Sequence, residues 1–398
     1  MTLSDLVLIG GGHAHVHLLK MYGMPPYKSI LTTHGIRCTL ITSDIQTPYS
    51  GMLPGMVAGH YSQDEIHIDL QRLCSFSHFR LIHASATGIV MNHNGQGGGY
   101  IECSDGRPPV RFDVLSIDVG SSPSLPSGDT TLDSTTDTVD EKISIFRVIP
   151  VKPIAGFSNR WKAICTKLER MLQEQLLFQT QQHSNQPLST LMTIPTTITS
   201  SVSTHLRFSR DTPYILAIVG GGAGGVELAL ATQYALQKIV HNVSTTLDDS
   251  IIKVVLVTRG HTLLENQNNS IQSIFQRILQ ERNIDVRYNS EAVGIEEYKP
   301  SLGLKKFQWV YPNNNSSRDQ DDPILFHDCL WCTSASAPTW IARNTPLETD
   351  SHGFIKVNSC YESMNIRGVF AAGDCCHMVE NPRPKGTIYF LSSMVLSF

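Results

Sequence analysis

Short apolar runs that end in glycine, each followed at once by a helical pattern, set the organisation of this chain. The clearest is Tyr214 to Leu230, YILAIVGGGAGGVELAL, where Ile215–Val219 reads as a buried strand and the stretch after Gly222 as a helix. A second begins the chain: Leu6–Ile9 (LVLI), then Gly10, Gly11 and Gly12, then a helix from His13 to about Met21. Further apolar runs at Arg37–Ile41 and Lys253–Val257 fit the second strand of each unit. Trp161, Ile164, Leu168, Leu172 and Leu176 recur at helical spacing and predict a helix from Trp161 to about Phe178. Three polar stretches interrupt the pattern, and each reads as loop or linker. Ser121–Asp140 is rich in Ser, Thr and Asp, Gln179–Arg210 in Gln, Ser and Thr, and Asn313–Asp322 fits a hairpin tip.

At 398 residues the chain exceeds one usual core, so two or three domains are expected. A hydrophobic content of 41% and a mean hydropathy of −0.09 describe an ordinary globular protein. A net charge of −4 with no basic cluster argues against nucleic acid as a partner. The chain enters its first strand almost directly after Met1, with no signal-like or membrane-spanning run, so a cytoplasmic location is expected. The nine cysteines then read as free thiols. Cys329 and Cys332 lie on a strand, where positions three apart face opposite sides, so no metal site is expected.

Gly220, Gly222 and Gly225 have the spacing that a dinucleotide turn requires. The first glycine permits the tight turn, the second lets backbone amides approach a pyrophosphate, and the third lets helix pack on strand. The helix N-terminus adds unpaired N–H groups and partial positive charge. At the first turn only Gly10 and Gly12 match, and His15 takes the third position. His13 and His15 either touch a phosphate or are satisfied by solvent or backbone. Both second strands lack the acid expected for a ribose hydroxyl: one reads Thr42-Ser43 before Asp44, the other Thr258-Arg259. Arg259 is a candidate for a 2′-phosphate; a solvated arginine is the plain alternative.

Two nucleotide turns in one chain resemble the two-dinucleotide-binding-domain flavoproteins. FDVLSIDVGSSPS (Phe112–Ser124) and HDCLWCTSASAPTWI (His327–Ile341) resemble the segments closing each turn, though Thr333-Ser334-Ala335 departs from the Thr-Gly-Ala expected there. RGVFAAGDCCHM (Arg367–Met378) resembles the returning FAD motif. Thr47-Pro48, with no redox cysteine pair nearby, is similar to type II NADH dehydrogenases. TPYSGMLPG, VIPVKP (Val148–Pro153) and PRPK (Pro382–Lys385) are similar to the flavoprotein found fused or adjacent to selenide, water dikinase.

That resemblance implies an α/β fold of two Rossmann-like domains, the NAD(P)H domain inserted in the FAD domain. The FAD domain would be 1–125 and 345–398, an insertion 126–211, and the NAD(P)H domain 212–344. It implies FAD on Gly10, Gly12, His13, Pro48, Gly120, Gly373 and Asp374, and NAD(P)H on Gly220, Gly222, Gly225 and Arg259. Glu227 would stand near the nicotinamide and Lys152 near the reduced flavin as a stabilising charge. The implied activity is a FAD-dependent NAD(P)H oxidoreductase delivering electrons to a quinone-like or selenium-linked acceptor. Selenide, water dikinase is an implied partner, and peripheral membrane contact is compatible with a quinone. The alternatives are a sulfur or selenium oxidoreductase using Cys375 or Cys376, and a truncated nucleotide-binding protein without turnover. The second follows from the ending GTIYFLSSMVLSF, where the family continues with a helix against the flavin.

Overall fold

A computed structural model describes residues 4–92, 98–123, 149–151, 154–183, 207–310, 323–333, 335–380 and 382. The chain forms two compact units: Met1–Gly51 with Gln63–Ser124 and Ser334–Phe398, and Met52–Ser62 with Leu125–Thr333.

The first unit is built on a parallel sheet. Its strands are β1 (Ser4–Ile9), β2 (Ile36–Thr42), β3 (Arg80–His83), β4 (Val114–Ile117) and, far along the chain, a strand at Val369–Ala371. The order is Val369–Ala371, β4, β1, β2, β3, all neighbours parallel. β1 is apolar from Leu6 to Ile9 because both faces are covered. Leu6 and Leu8 meet Leu18 and Leu19 of helix α1 (His13–Tyr22). Val7 and Ile9 face the opposite core, which includes Ile89, Ile101 and Phe112 of a three-stranded antiparallel sheet.

The second unit repeats this plan. Its strands are β5 (Ile149–Pro150), β6 (Tyr214–Val219), β7 (Ile252–Val257), β8 (Asp285–Arg287) and, after β9 (Glu291–Lys299), β10 (Leu304–Val310) and β11 (Leu325–Phe326), β12 (Asp328–Trp331). The strand at Val369–Ala371 is then β13. The parallel order is β5-β12-β6-β7-β8, while β9, β10 and β11 form an antiparallel sheet. Leu216 and Ile218 face a helical core, whereas Ala217 and Val219 face Ile295, Phe307 and Phe326. In the first unit β1 lies between β2 and β4, and in the second β6 lies between β7 and β12. That reversal makes a crevice at the carboxyl ends of the strands, the usual ligand position in such sheets.

Helix α2 runs Ile154–His183, beyond the predicted Trp161–Phe178. Fully buried Phe157 extends the apolar stripe of Trp161, Ile164, Leu168 and Leu172 toward the N-terminus, and the glutamine-rich end continues the helix. The part of the expected linker nearest β6 is anchored: Gln175 donates to the Phe208 carbonyl at 2.9 Å and accepts from its amide at 2.7 Å. Residues 184–206, most of Ser121–Asp140, and Asn313–Asp322, expected as a hairpin tip, lie outside the described residues. Cys329 belongs to one core and Cys332 packs against the other, on opposite faces of the sheet as expected. Among the described residues no helix is long and apolar enough to cross a membrane, and no His/Cys/Asp/Glu cluster could hold a metal.

Candidate nucleotide-binding turns

In the second unit β6 ends at Val219 and helix α3 (Ala223–Val243) begins after three intervening residues. Gly220 has φ +132°, a conformation that side chains rarely adopt, and accommodates the Cys332 carbonyl at close range. A Cβ on Gly225 would overlap the Gly220 carbonyl, so the helix can lie against the turn only with glycine there. A Cβ on Gly221 would overlap Thr258. Around Gly222 and Gly224 there is open space: an added Cβ meets nothing within 4 Å. The N-cap, Gly222, has no side chain to satisfy the first amides of α3. This is an open cradle of donors at a helix N-terminus, and it fits a pyrophosphate.

Glu227 is exposed one turn into α3, and local burial raises its carboxyl above the usual range. Arg259 is exposed beyond β7, with Nη1 3.9 Å from Oε1 of Glu291 at the start of β9. Thr258 is buried, and its Oγ1 accepts from the Gly260 amide at 3.3 Å. Its hydroxyl oxygen thus accepts one bond within its own turn.

The first turn differs. Gly10 has φ +93°, and a Cβ there would overlap the Asp118 carbonyl. His15, at the third-glycine position, is fully buried. Its Nδ1 donates to the Gly10 carbonyl at 2.7 Å, so in the neutral ring Nε2 accepts from the Ser116 hydroxyl at 2.8 Å. Burial outweighs the bond to Gly10 and brings His15 down to about 4, so the ring is neutral. His15 is thus satisfied by backbone and a serine. His13 is half-buried, set edge-on to Tyr49 with centroids 4.9 Å apart, and its pKa is lowered by burial.

Asp118, which the sequence reading did not single out, dominates this turn. It follows β4, is buried, and its Oδ2 accepts from the Ala14 amide in the first turn of α1 at 2.9 Å. A Cβ on Gly12 or Gly373 would collide with its carboxylate. Burial pushes Asp118 up to about 7; bonds from the Ala14 and His15 amides oppose this, and nearby Asp374 adds to it.

Asp374 lies beyond β13, half-buried, and Oδ2 accepts from Ser121 Oγ at 3.4 Å. Gly120, at φ +68°, has open space around it. Pro48 ends a short strand paired with His67, in the same unit as the first turn. Gly10, Gly12, Asp118, Gly120, Gly373 and Asp374 thus come together at the ends of β1, β4 and β13. They make a second cradle that fits a dinucleotide, with Asp118 in its wall. Lys152 lies outside the described residues, as do Lys385 and the residues after it.

Residues 192–388, just short of half the chain, match the model of the pyridine nucleotide-disulphide oxidoreductase family. The chain is 27% identical over 192 residues to "Oxidoreductase ptaL" of Pestalotiopsis fici, covering 46% of this chain and 43% of that protein. It is 25% identical over 166 residues to the "Type II NADH:quinone oxidoreductase" of Haemophilus influenzae, covering 42% and 34% respectively. These matches span less than half of either relative. Among solved structures, NDH2 from Plasmodium falciparum in complex with NADH superposes with a TM-score of 0.63 at 16% identity, covering 95% of this chain and 65% of that one. That likeness shows the α/β fold of two Rossmann-like units, and the stretch from before β6 through Asp374 is similar to the pyridine nucleotide-disulphide oxidoreductases.

Proposed function

We propose that the protein is a FAD-dependent NAD(P)H oxidoreductase, with FAD in the first unit and NAD(P)H in the second. The observation that carries the reading is the open donor cradle at α3, held by Gly220 and Gly225. The family match over 192–388 and the NADH-bound structural neighbour support it. When bound, the two cofactors supply hydride transfer from nicotinamide to flavin. The chain's part is to bind and orient. The α3 amides receive the nicotinamide dinucleotide's diphosphate, and Glu227 lies beside the nicotinamide half. Asp374 accepts hydroxyls of the ribitol chain of FAD. Lys152 is proposed, on the resemblance alone, as a charge stabilising the reduced flavin.

For the acceptor we favour a quinone, on the similarity to the Haemophilus influenzae protein. A selenium-linked acceptor, with selenide, water dikinase as partner, rests only on the resemblance of TPYSGMLPG, VIPVKP and PRPK. Cysteine chemistry is disfavoured at Cys375, which is buried, donates to the Ala372 carbonyl at 3.1 Å and is raised well above the usual thiol range by burial. Cys376 is partly exposed, and its Sγ donates to the Gly373 carbonyl at 3.3 Å.

Anaerobic titration of the purified protein with NADH and NADPH, followed by reoxidation with quinones or disulfides, tests the proposal. Bleaching of the flavin and recovery with a quinone are expected. Protein that carries flavin but does not bleach with either nucleotide would leave a nucleotide-binding module without turnover.

A further inference from the structure

The two units allow an internal comparison at one position. Asp118 follows β4 and Cys332 follows β12, and each donates its amide to the residue ending the first strand, Ile9 or Val219, at 2.8 Å. The carbonyl of each lies where a Cβ on the first turn glycine, Gly10 or Gly220, would come too close. The two residues are therefore structural equivalents. Their side chains do opposite things. Cys332 is a protonated thiol, pushed up to about 12 by burial, and Gly222, the equivalent of Gly12, has open space around it. The Asp118 carboxyl lies against Gly12 and Gly373 and takes the Ala14 amide.

That amide belongs to the first turn of the helix, the donor set that a dinucleotide's diphosphate uses. An ionised carboxylate and a diphosphate would compete for the same amides and repel across a buried, poorly screened gap. A neutral carboxyl can instead turn its O–H toward a phosphate oxygen and donate. We propose that Asp118 makes FAD binding at the first turn proton-linked, the diphosphate being accepted with the Asp118 carboxyl neutral and excluded by the carboxylate. This rests on the reading of the first turn as the FAD site and adds the residue that sets when the site is available.

The surroundings leave this window to Asp118. From α1 it is faced by His13, lowered by burial, and His15, at about 4; both rings are neutral above pH 7. Beyond β13 it is faced by Asp374, whose charge works against ionisation, and by the Cys375 thiol, which stays protonated; Cys376 follows. From the loop after β4, Ser121 donates to Asp374 and does not titrate, and β1 meets Asp118 through backbone. Asp118 itself titrates at about 7 because burial raises it.

The test is FAD affinity of the flavin-stripped full chain, read by quenching of flavin fluorescence between pH 6 and 9. For the wild type, affinity should be level below pH 7 and weaken toward tenfold per pH unit above it. Asp118→Asn, which keeps an acceptor for Ala14 without the charge, should bind FAD with less than threefold change across that range and more tightly than wild type at pH 9. A wild type that binds FAD with pH-independent affinity overturns the proposal, and this needs no variant to fold. So does an Asn variant that retains the wild-type slope. A wild type that binds no FAD at any pH, while NADPH or NADH still binds, overturns the FAD assignment of the first unit and the proposal with it.

Discussion

The imidazole of His15 reaches Ser116, with Nε2 2.8 Å from the hydroxyl oxygen, and so ties helix α1 to strand β4 across the first turn. In the second unit that place is held by Gly225, where any Cβ would strike the Gly220 carbonyl. At the first turn the corresponding carbonyl, of Gly10, is instead the acceptor for the ring. One turn solves helix packing by removing the side chain, the other by burying a bonded one.

This buried ring predicts an acid weakness. His15 and His327, one in each unit, are both brought down to about 4, His327 by burial and then by Lys167. In the unfolded chain both titrate near 6.5, so between about 4 and 6.5 the unfolded state binds more protons. Stability therefore falls as pH drops through that window, by on the order of 3 kcal/mol per histidine when complete. Calorimetry from pH 7.5 to 4.5 should show this fall. His15→Gln should lower the melting temperature at pH 7.5 yet flatten the acid slope of the transition to which the first unit contributes. An unchanged slope would contradict the assignment.

Asp374 should be needed to retain FAD. A carboxylate accepting ribitol hydroxyls contributes on the order of 1.5–3 kcal/mol. Asp374→Ala should then bind FAD about 10- to 100-fold more weakly, measured as absorbance of bound flavin after gel filtration and by titration. Stoichiometric flavin at unchanged affinity would reject the role.

Two glycines of the second turn should separate fold from binding. Gly222→Ala enters open space at φ −78°, so the melting temperature should stay within a degree or two while NADH and NADPH affinity falls at least about tenfold. Gly225→Ala collides with backbone and should destabilise the second unit by on the order of 1–3 kcal/mol. If Gly222→Ala binds both nucleotides normally, the cradle is not the dinucleotide site.

Nicotinamide choice should turn on Arg259 and Glu291. Their 3.9 Å contact is long and exposed, which leaves the guanidinium free to exchange Glu291 for a 2′-phosphate. Thr258, with its hydroxyl buried in its own turn, does not compete for a ribose. Rates of flavin reduction should show Arg259→Ala weakening NADPH selectively and Glu291→Gln favouring it. A strong wild-type preference for NADH would reject this.

Both glycine turns and their strands were legible because a parallel strand buried on two faces is a continuous apolar run with glycine at its end. The α2 stripe was legible too, though its start was not: Phe157 continues the period before Trp161, and Gly156 masks it. What the sequence hid was pairing across distance. Asp118 meets Ala14 from 104 positions away, and nothing in the SIDVG string says which way a strand-end carboxylate turns. The departure at His15 was visible, but not that Ser116 would complete its bonds. Laying SIDVG beside LWCTS, with the two turns aligned, would have marked Asp118 against Cys332 as the place where the repeats diverge.

The discontinuity of the first unit has a consequence for synthesis. β13 pairs with β4 in register from Val369↔Leu115, yet the ribosome makes all of the second unit's parallel strands between them. The first unit therefore waits, with one side of β4 unpaired, while the second can complete its sheet as soon as β12 emerges. Such long-range closure is slow and leaves an exposed strand edge in the interval. Since Gly373 and Asp374 follow β13 directly, the nascent chain acquires the first cradle last, after the second is already able to bind.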